Sequence, residues 1–215
     1  MAHRARLALV LAFLSMTGVG VLGCAHHPAA PKVYIPPRID LSRHGTLGIV
    51  SFASPGRDAF GADITREFLA TLQSAQPGTP VLELGDERAV LAQLGRETLD
   101  PDALHMLAER RHVDAVIVGA LDSQRVSPKI ALDAPSAWAS ASADLEASLR
   151  VRILDTRSGA TVWSTVSRAK AQIAGLDMSP GGVSNVGTSG RQEAEQILVT
   201  RLVRNATGDF WGHWE

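Results

Sequence analysis

The residue best suited to covalent chemistry is Cys24, the only cysteine in the chain. Its thiol lies at the end of a segment that begins with the basic residues Arg4 and Arg6 and continues with an apolar run from Leu7 to Leu14. A basic start, a short apolar run and small residues at the end are typical of an export signal. The apolar run is too short to span a bilayer, which needs ~20 mostly apolar residues. A single cysteine also excludes a disulfide within this chain.

The last four residues of this segment, Val21-Leu22-Gly23-Cys24, resemble the lipobox of bacterial lipoproteins, in which a small residue precedes the cysteine. The resemblance implies that diacylglycerol is thioether-linked to Cys24, that the signal is cleaved between Gly23 and Cys24, and that the new amine is acylated. Three acyl chains, at ~0.8 kcal/mol per buried CH₂, would give an essentially permanent anchor. Ala25, instead of aspartate, resembles lipoproteins sent to the outer membrane, with the domain facing the periplasm. The alternative is an ordinary export signal with an incidental cysteine.

Other residues with chemical potential do not form a catalytic or metal-binding pattern. Asp58 and Asp63 are an acidic pair, but the helix dipole favours acidic residues near helix starts anyway. His26 and His27 are adjacent without further ligands nearby, whereas a zinc site needs at least three protein ligands. Gly18–Gly23 has the glycine spacing of a dinucleotide-binding loop but lacks the flanking strand and helix. We therefore expect no catalytic residue, metal, cofactor or small-molecule substrate, and predict that the protein is not an enzyme.

Net charge and amino-acid composition further limit the functional classes to which the protein can belong. Removing the two arginines of the signal leaves 19 basic against 22 acidic residues, a formal charge of −3. Without a basic excess the chain lacks the electrostatic signature of a nucleic-acid-binding protein, so we expect no nucleic acid as partner. An apolar fraction of 45% is enough for an ordinary hydrophobic core.

The first half of the chain alternates between strand and helix patterns. The apolar run 46–52 predicts a buried strand. Phe60, Ile64, Phe68 and Leu72 recur every fourth residue, which predicts a helix over roughly 59–74. The further predicted elements are a strand at 81–84, two helices capped by Asp86 and Asp100, and a strand at 115–121.

The second half begins with weak patterns and then becomes regular. Ser127–Ala143 is rich in alanine, serine and proline, and Leu176–Gly187 is rich in glycine, so we predict loops for both. From Leu145 to Ile153 apolar and polar residues alternate, which predicts a strand with one buried face. Asp155–Gly159 predicts a turn into a returning strand. A helix follows and is predicted to end near Thr207 and Gly208. Together these elements predict a single α/β domain, with a mixed sheet of about five strands and helices on both faces.

These patterns divide the chain into four parts: a signal at 1–23, the lipidated cysteine and a flexible proline-rich linker at 24–45, the α/β domain at 46–207, and a tail at 208–215. The tail holds three of the nine phenylalanine and tryptophan residues. Since large aromatic residues dominate both cores and interfaces, we predict that Phe210, Trp211 and Trp214 form a contact surface. The tail either folds back over an open edge of the sheet or contacts a partner.

Three strings in the domain resemble the curli-secretion (CsgG-like) lipoprotein superfamily. Leu41–Phe52 is similar to its first strand, His112–Gly119 to its "gvDaVvvG" strand, and Val151–Ser164 to its "vrlvDvrTGevlWs" hairpin, with Ser-Gly in place of Thr-Gly. Relatives in the superfamily include the lipoprotein activator of a penicillin-binding protein and the N-terminal domain of the Tol–Pal propeller protein. The resemblance covers roughly residues 41–206. Its strings are structural in the family, so no catalytic residue is carried over.

The anchor and the resemblance imply a non-enzymatic module that binds another envelope protein, in envelope biogenesis or in the regulation of peptidoglycan synthases. The alternative is an oligomeric component of an outer-membrane secretion or assembly apparatus, like the channel of the superfamily. The channel inserts two long amphipathic hairpins around the alternating strand. We expect neither Ser127–Ala143 nor Leu176–Gly187 to cross a membrane, because they hold few aromatic residues and several glycines and prolines.

Lipid attachment at Cys24 predicts a specific processing defect. With Cys24→Ser the chain has no thiol to modify, so we expect an unprocessed precursor, and globomycin treatment of the wild type should give the same product. Mass spectrometry of the protein from fractionated cells measures both effects. Mature protein that still fractionates with membranes after Cys24→Ser would contradict lipid anchoring.

Overall fold

The computed structural model describes residues 32–133, 138–173, 176–179, 182–186 and 188–215. The predicted signal, the cleavage site at Gly23 and Cys24, and the histidines His26 and His27 lie outside these ranges. From Tyr34 to Glu215 the described residues belong to one unit. Within them, no helix is both long and apolar enough to cross a membrane.

Strands and helices of this unit follow one another largely in the predicted order. The strands are β1 (Tyr34–Ile35), β2 (Leu47–Val50), β3 (Val81–Gly85), β4 (Ala115–Asp133), β5 (Trp138–Asp155), β6 (Thr161–Ile173), β7 (Leu176–Ser179), β8 (Gly182–Val186) and β9 (His213–Trp214). The helices are α1 (Asp58–Ala75), α2 (Glu87–Leu94), α3 (Pro101–Arg111) and α4 (Thr188–Ala206). Short 3₁₀ turns occupy Leu41–His44 and Gly208–Phe210.

A five-stranded mixed sheet, in the order β3-β2-β4-β5-β6, organises the unit. β2 is parallel to β3 and β4, whereas β4–β5 and β5–β6 are antiparallel. Ile117 on β4 packs in the core cluster with α1 and α4, and its neighbour Val116 packs in the cluster with α2 and α3. Because successive side chains of a strand point to opposite faces, the helices cover both faces. The predicted α/β class and mixed sheet are confirmed.

Helix starts follow the local capping signals. The Asp86 carboxylate accepts hydrogen bonds from the backbone N–H groups of Arg88 and Ala89, at 2.9 and 3.2 Å. The Asp100 carboxylate accepts one from Ala103 N at 2.8 Å, with Pro101 as the first helical residue. Each bond satisfies a backbone donor that the first turn of a helix leaves free. Both predicted caps are confirmed.

The two segments predicted as loops are strands instead. The β4–β5 pairing extends through the described residues of 127–143. Its ladder runs from Ala115↔Asp155 to Asp133↔Trp138 with one register shift, between Leu121 and Ser123, and residues 134–137 lie outside the described ranges. Within 176–187, β7 and β8 form a second antiparallel pair. The hydrogen bonds between two strands join backbone groups and do not require particular side chains. The register of β4 and β5 is set by their buried residues nearer the core, so the small residues that follow can continue the same strands.

The folded unit also begins earlier than the predicted boundary at residue 46. Tyr34 and Ile35 form β1, and Leu41 is fully buried in the main core cluster. Residues 34–45 therefore belong to the fold and not to the linker. The sequence did not indicate this, because a single buried leucine among prolines and charges produces no apolar period.

One side chain joins this early segment to the rest of the unit. Gln76, which follows the last residue of α1, accepts a hydrogen bond from Leu41 N at 2.7 Å through Oε1. Its Nε2 donates to the carbonyl oxygens of Ile39 at 2.6 Å and Phe210 at 3.2 Å. The Gln76 amide therefore connects a helix end with segments near both ends of the described chain.

Gln76→Leu should lower the free energy of unfolding by ~1–3 kcal/mol, because the amide and carbonyl groups that it satisfies lose their partner. Gln73→Leu is the matched control, since Gln73 is exposed on the same helix and its replacement should change stability by less than about 0.5 kcal/mol. Urea unfolding followed by tryptophan fluorescence measures both. Equal stability of the two variants would show that the Gln76 amide contributes nothing.

Candidate functional site

The C-terminal tail returns to the first described strand. After α4, the Thr207 hydroxyl donates to Val203 O at 2.9 Å, and the 3₁₀ turn Gly208–Phe210 redirects the chain. β9 then pairs antiparallel with β1, with Trp214 opposite Tyr34. The two ends of the unit therefore lie side by side.

Phe210 belongs to the core. Its side chain is fully buried, with its ring centroid 4.9 Å from that of Trp163 and 6.0 Å from that of Phe68, the latter in an edge-to-face arrangement. Such pairs are worth ~0.5–1.5 kcal/mol beyond the area that they bury. For Phe210 the predicted contact is thus made within the domain.

Trp211 and Trp214 lie at the surface, with 42% and 66% of their areas exposed. Tyr34, 49% exposed, stacks against Trp214 with ring centroids 5.1 Å apart and planes tilted by 55°. We call the three exposed aromatic residues of the paired ends, Tyr34, Trp211 and Trp214, the aromatic surface; the ring contact among them is the one between Tyr34 and Trp214. Gly212 permits this arrangement, because a Cβ at that position would collide with the Tyr34 hydroxyl. No local sequence pattern predicted this position for Tyr34, the only tyrosine of the chain.

Asp209 holds the backbone behind the aromatic surface. Its carboxylate accepts from the Trp163 indole N–H at 3.1 Å and from the Arg38 guanidinium at 3.2 Å. Its carbonyl oxygen accepts from the backbone N–H groups of Arg38 at 2.9 Å and Ile39 at 3.3 Å. The tail is therefore bonded both to the sheet and to the N-terminal segment. These hydrogen bonds fix the backbone that carries the exposed rings.

Asp40 orders the same N-terminal segment. Its carboxylate accepts from the Ser42 hydroxyl at 2.6 Å and from Ser42 N at 3.2 Å, and it pairs with Arg43 at 3.1 Å. The Ser42 hydroxyl, followed by the Arg43 hydrogen bond, holds the pKa of Asp40 below its ordinary value. Because the folded-state pKa is the lower one, this stabilisation is present at neutral pH and is lost as the pH falls through that pKa.

A second feature is an open cleft of about 770 Å³ between α1 and α4. We call it the α1–α4 cleft. Its charged lining residues are Asp63, Arg66, Glu67, Glu193 and Glu195. Glu195 pairs with Arg57 at 2.7 Å and with Arg191 at 3.0 Å, so one wall is held by ion pairs. The sequence pattern places Asp63 only in an acidic pair with Asp58, because the α4 residues that complete the cleft are distant in sequence.

The remaining residues with chemical potential are Cys24, the two adjacent histidines and the acidic residues of α1. Cys24, Gly23 and the two adjacent histidines are not among the described residues. Within the described ranges, no group of three or more His, Cys, Asp or Glu residues is placed to hold a metal ion. Asp63 is bonded to Arg66 at 3.0 Å, as expected for a solvated helix face.

Comparisons with known proteins find similar structures but no family. No family model and no curated protein matches the sequence. The PelC dodecamer from Paraburkholderia phytofirmans is similar at 13% identity over 84% of this chain and 96% of that chain, with a TM-score of 0.45. Lipoprotein GNA1162 from Neisseria meningitidis is similar at 18% identity over 71% and 97%, with a TM-score of 0.35. The C-terminal domain of LpoB from Salmonella enterica is similar at 12% identity over 59% and 82%, with a TM-score of 0.35.

Structures described as bacterial lipoproteins thus occur among those that this chain resembles. All three likenesses have identities below 20% and TM-scores below 0.5, so they do not establish membership of a family.

Adjacent tail residues should respond differently to truncation of the side chain. Phe210→Ala removes a buried ring and should lower the free energy of unfolding by ~3–5 kcal/mol, which corresponds to a fall of several degrees in Tm. Trp211→Ala should lower it clearly less, by about 1 kcal/mol, because 42% of the residue's area remains exposed to solvent. Thermal unfolding by circular dichroism compares the two. Equal losses would show that the exposed indole is structural too.

Proposed function

We propose that the protein is a lipoprotein anchored in the outer membrane through Cys24, and that its periplasm-facing domain is a non-enzymatic module that binds another envelope protein. The anchor is supported by the export signal and its Val-Leu-Gly-Cys ending. The binding role is carried by one observation, the open and charged α1–α4 cleft.

The chemistry of the cleft favours a protein segment over a small molecule. Sites for small molecules are mostly apolar and enclose most of the ligand. The α1–α4 cleft is open instead. Of its four carboxylates, Asp63 and Glu195 are paired with arginines, so Glu67 and Glu193 carry the negative charge that the cleft offers to a partner. Complementary charge across an interface steers association and selects the partner. The cleft is therefore suited to a segment of the partner that carries lysine or arginine.

The tether supports partner binding at the membrane. Cys24 precedes Tyr34 by ten residues, which span at most ~35 Å when fully extended. A partner at the same membrane then meets the domain at a raised effective concentration, without new contacts being required. The proposed partner is accordingly a protein of the same membrane or of the adjoining periplasm.

We also propose that the domain is related to the curli-secretion (CsgG-like) superfamily, on the placement of the three strings. They lie on β2, on β4 and on the β5–β6 hairpin, which are neighbouring strands of the sheet. The strings contact each other, since the Thr156 hydroxyl donates to Val113 O at 3.0 Å and to Asp114 O at 2.8 Å. Asp114 in turn accepts from Thr46 N at 3.0 Å. These contacts support a structural role for the strings.

Crosslinking in cells tests the binding role. A photo-reactive residue at Gln196, exposed in the cleft, should form a crosslink to one protein, and the same residue at Glu109 on α3 should not, because α3 lies on the other face of the sheet. Glu193→Lys should weaken the Gln196 crosslink by reversing a cleft charge, whereas Glu109→Lys should leave it unchanged.

Equal crosslinks from Gln196 and Glu109 would contradict a partner in the cleft. Mass photometry of the purified lipoprotein separates the alternative function, because a closed ring of about eight or more copies would favour an export component.

A further inference from the structure

The aromatic surface consists of three exposed rings on a hydrogen-bonded backbone, and two of them, Tyr34 and Trp214, are in contact. Tyr34, Trp211 and Trp214 keep between 42% and 66% of their areas in contact with solvent. Aromatic rings of this size are usually buried, and clustered exposed ones mark contacts with a protein or a membrane. β1–β9 pairing and the Asp209 hydrogen bonds hold the backbone of all three rings. The position of the three rings is therefore determined by the fold.

Its place in the chain puts it near the anchor. Tyr34 is ten residues from Cys24, and β9 brings the tryptophans beside it. No part of the unit Tyr34–Glu215 is closer to Cys24 along the chain than this strand. At ~35 Å or less of extended chain, the rings can reach the bilayer that holds the lipid.

We propose that the aromatic surface rests in the headgroup region of the membrane that holds the Cys24 lipid. The proposal depends on lipid attachment at Cys24. Tryptophan and tyrosine are the side chains that concentrate at membrane–water interfaces, since each ring combines an apolar body with a polar N–H or O–H. The contact gives the tethered domain a fixed orientation, which a flexible linker alone does not provide.

The size of the patch favours a membrane over a protein partner. With ~150–250 Å² per ring, the exposed fractions present on the order of 300 Å² in total. A stable protein interface needs ~800 Å² on each side. A bilayer contact has no such requirement, because the lipid already supplies the anchoring.

The contact expected of the aromatic surface is apolar in character, because its exposed area belongs to aromatic rings. Arg38, a basic residue of the same segment as Tyr34, is paired with Asp209 at 3.2 Å. Salt screens interactions between exposed charges but leaves apolar burial largely unaffected. Membrane contact of the rings is accordingly expected to persist at high salt, unlike association with the acidic cleft.

Quenching by brominated lipids tests the proposal on the full lipidated protein. The protein is reconstituted into vesicles of phosphatidylethanolamine and phosphatidylglycerol, with or without bromine on the acyl chains near the headgroups. Tryptophan fluorescence of the wild type should be lower in the brominated vesicles. Trp211→Phe and Trp214→Phe should each lose part of this quenching and the double variant most of it. Trp163→Phe is the control and should retain the quenching, because this half-buried indole contacts Phe210 and Asp209.

Mass spectrometry of the same sample separates the two proposals. Lipid mass on Cys24 together with quenching that the double variant loses supports both. Lipid mass without quenching, or with quenching that the double variant retains, overturns the membrane contact and leaves the anchor intact. Absence of lipid mass on Cys24 overturns the anchor, and with it the contact that depends on the anchor.

Discussion

The hydrogen bonds of the Gln76 amide are the interaction on which the arrangement of the ends depends. Three backbone groups, from Ile39, Leu41 and Phe210, meet this one side chain. None of them has a partner in a helix or in the five-stranded sheet, and a buried backbone group without a partner is costly. The amide satisfies them where the two ends of the unit lie together, next to the backbone hydrogen bonds from Arg38 and Ile39 to Asp209 O and to the β1–β9 pair. That pairing places Tyr34 opposite Trp214.

Stability itself comes from apolar packing on both faces of the sheet, not from charge. The arginines that pair with Asp40 and Asp209 are about 80% exposed, and exposed ion pairs contribute ~0–1 kcal/mol each. Burial of a single large apolar side chain contributes more than such a pair. Charged residues are therefore free to serve recognition, as proposed for the α1–α4 cleft.

The two proposed contact surfaces differ in physical character. Apolar rings on β1 and in the tail suit an interface with lipid, whose affinity comes from removing apolar area from water. Carboxylates in the cleft suit a basic partner, whose approach is steered over several ångströms and weakened by salt. One surface would orient the domain and the other would choose what it binds, so the two tasks do not compete for the same residues.

The sequence by itself determined the features whose causes are local: the helices with their Asp86 and Asp100 caps, and the β5–β6 turn. Tertiary structure alone decided the length of the β4–β5 pair, the inclusion of Tyr34 in the fold, and the burial of Phe210 beside an exposed Trp211. Each depends on a partner far along the chain, as Tyr34 does on Trp214. A local sequence pattern cannot predict such a partner, because the burial of a side chain depends on contacts that form only when distant segments meet.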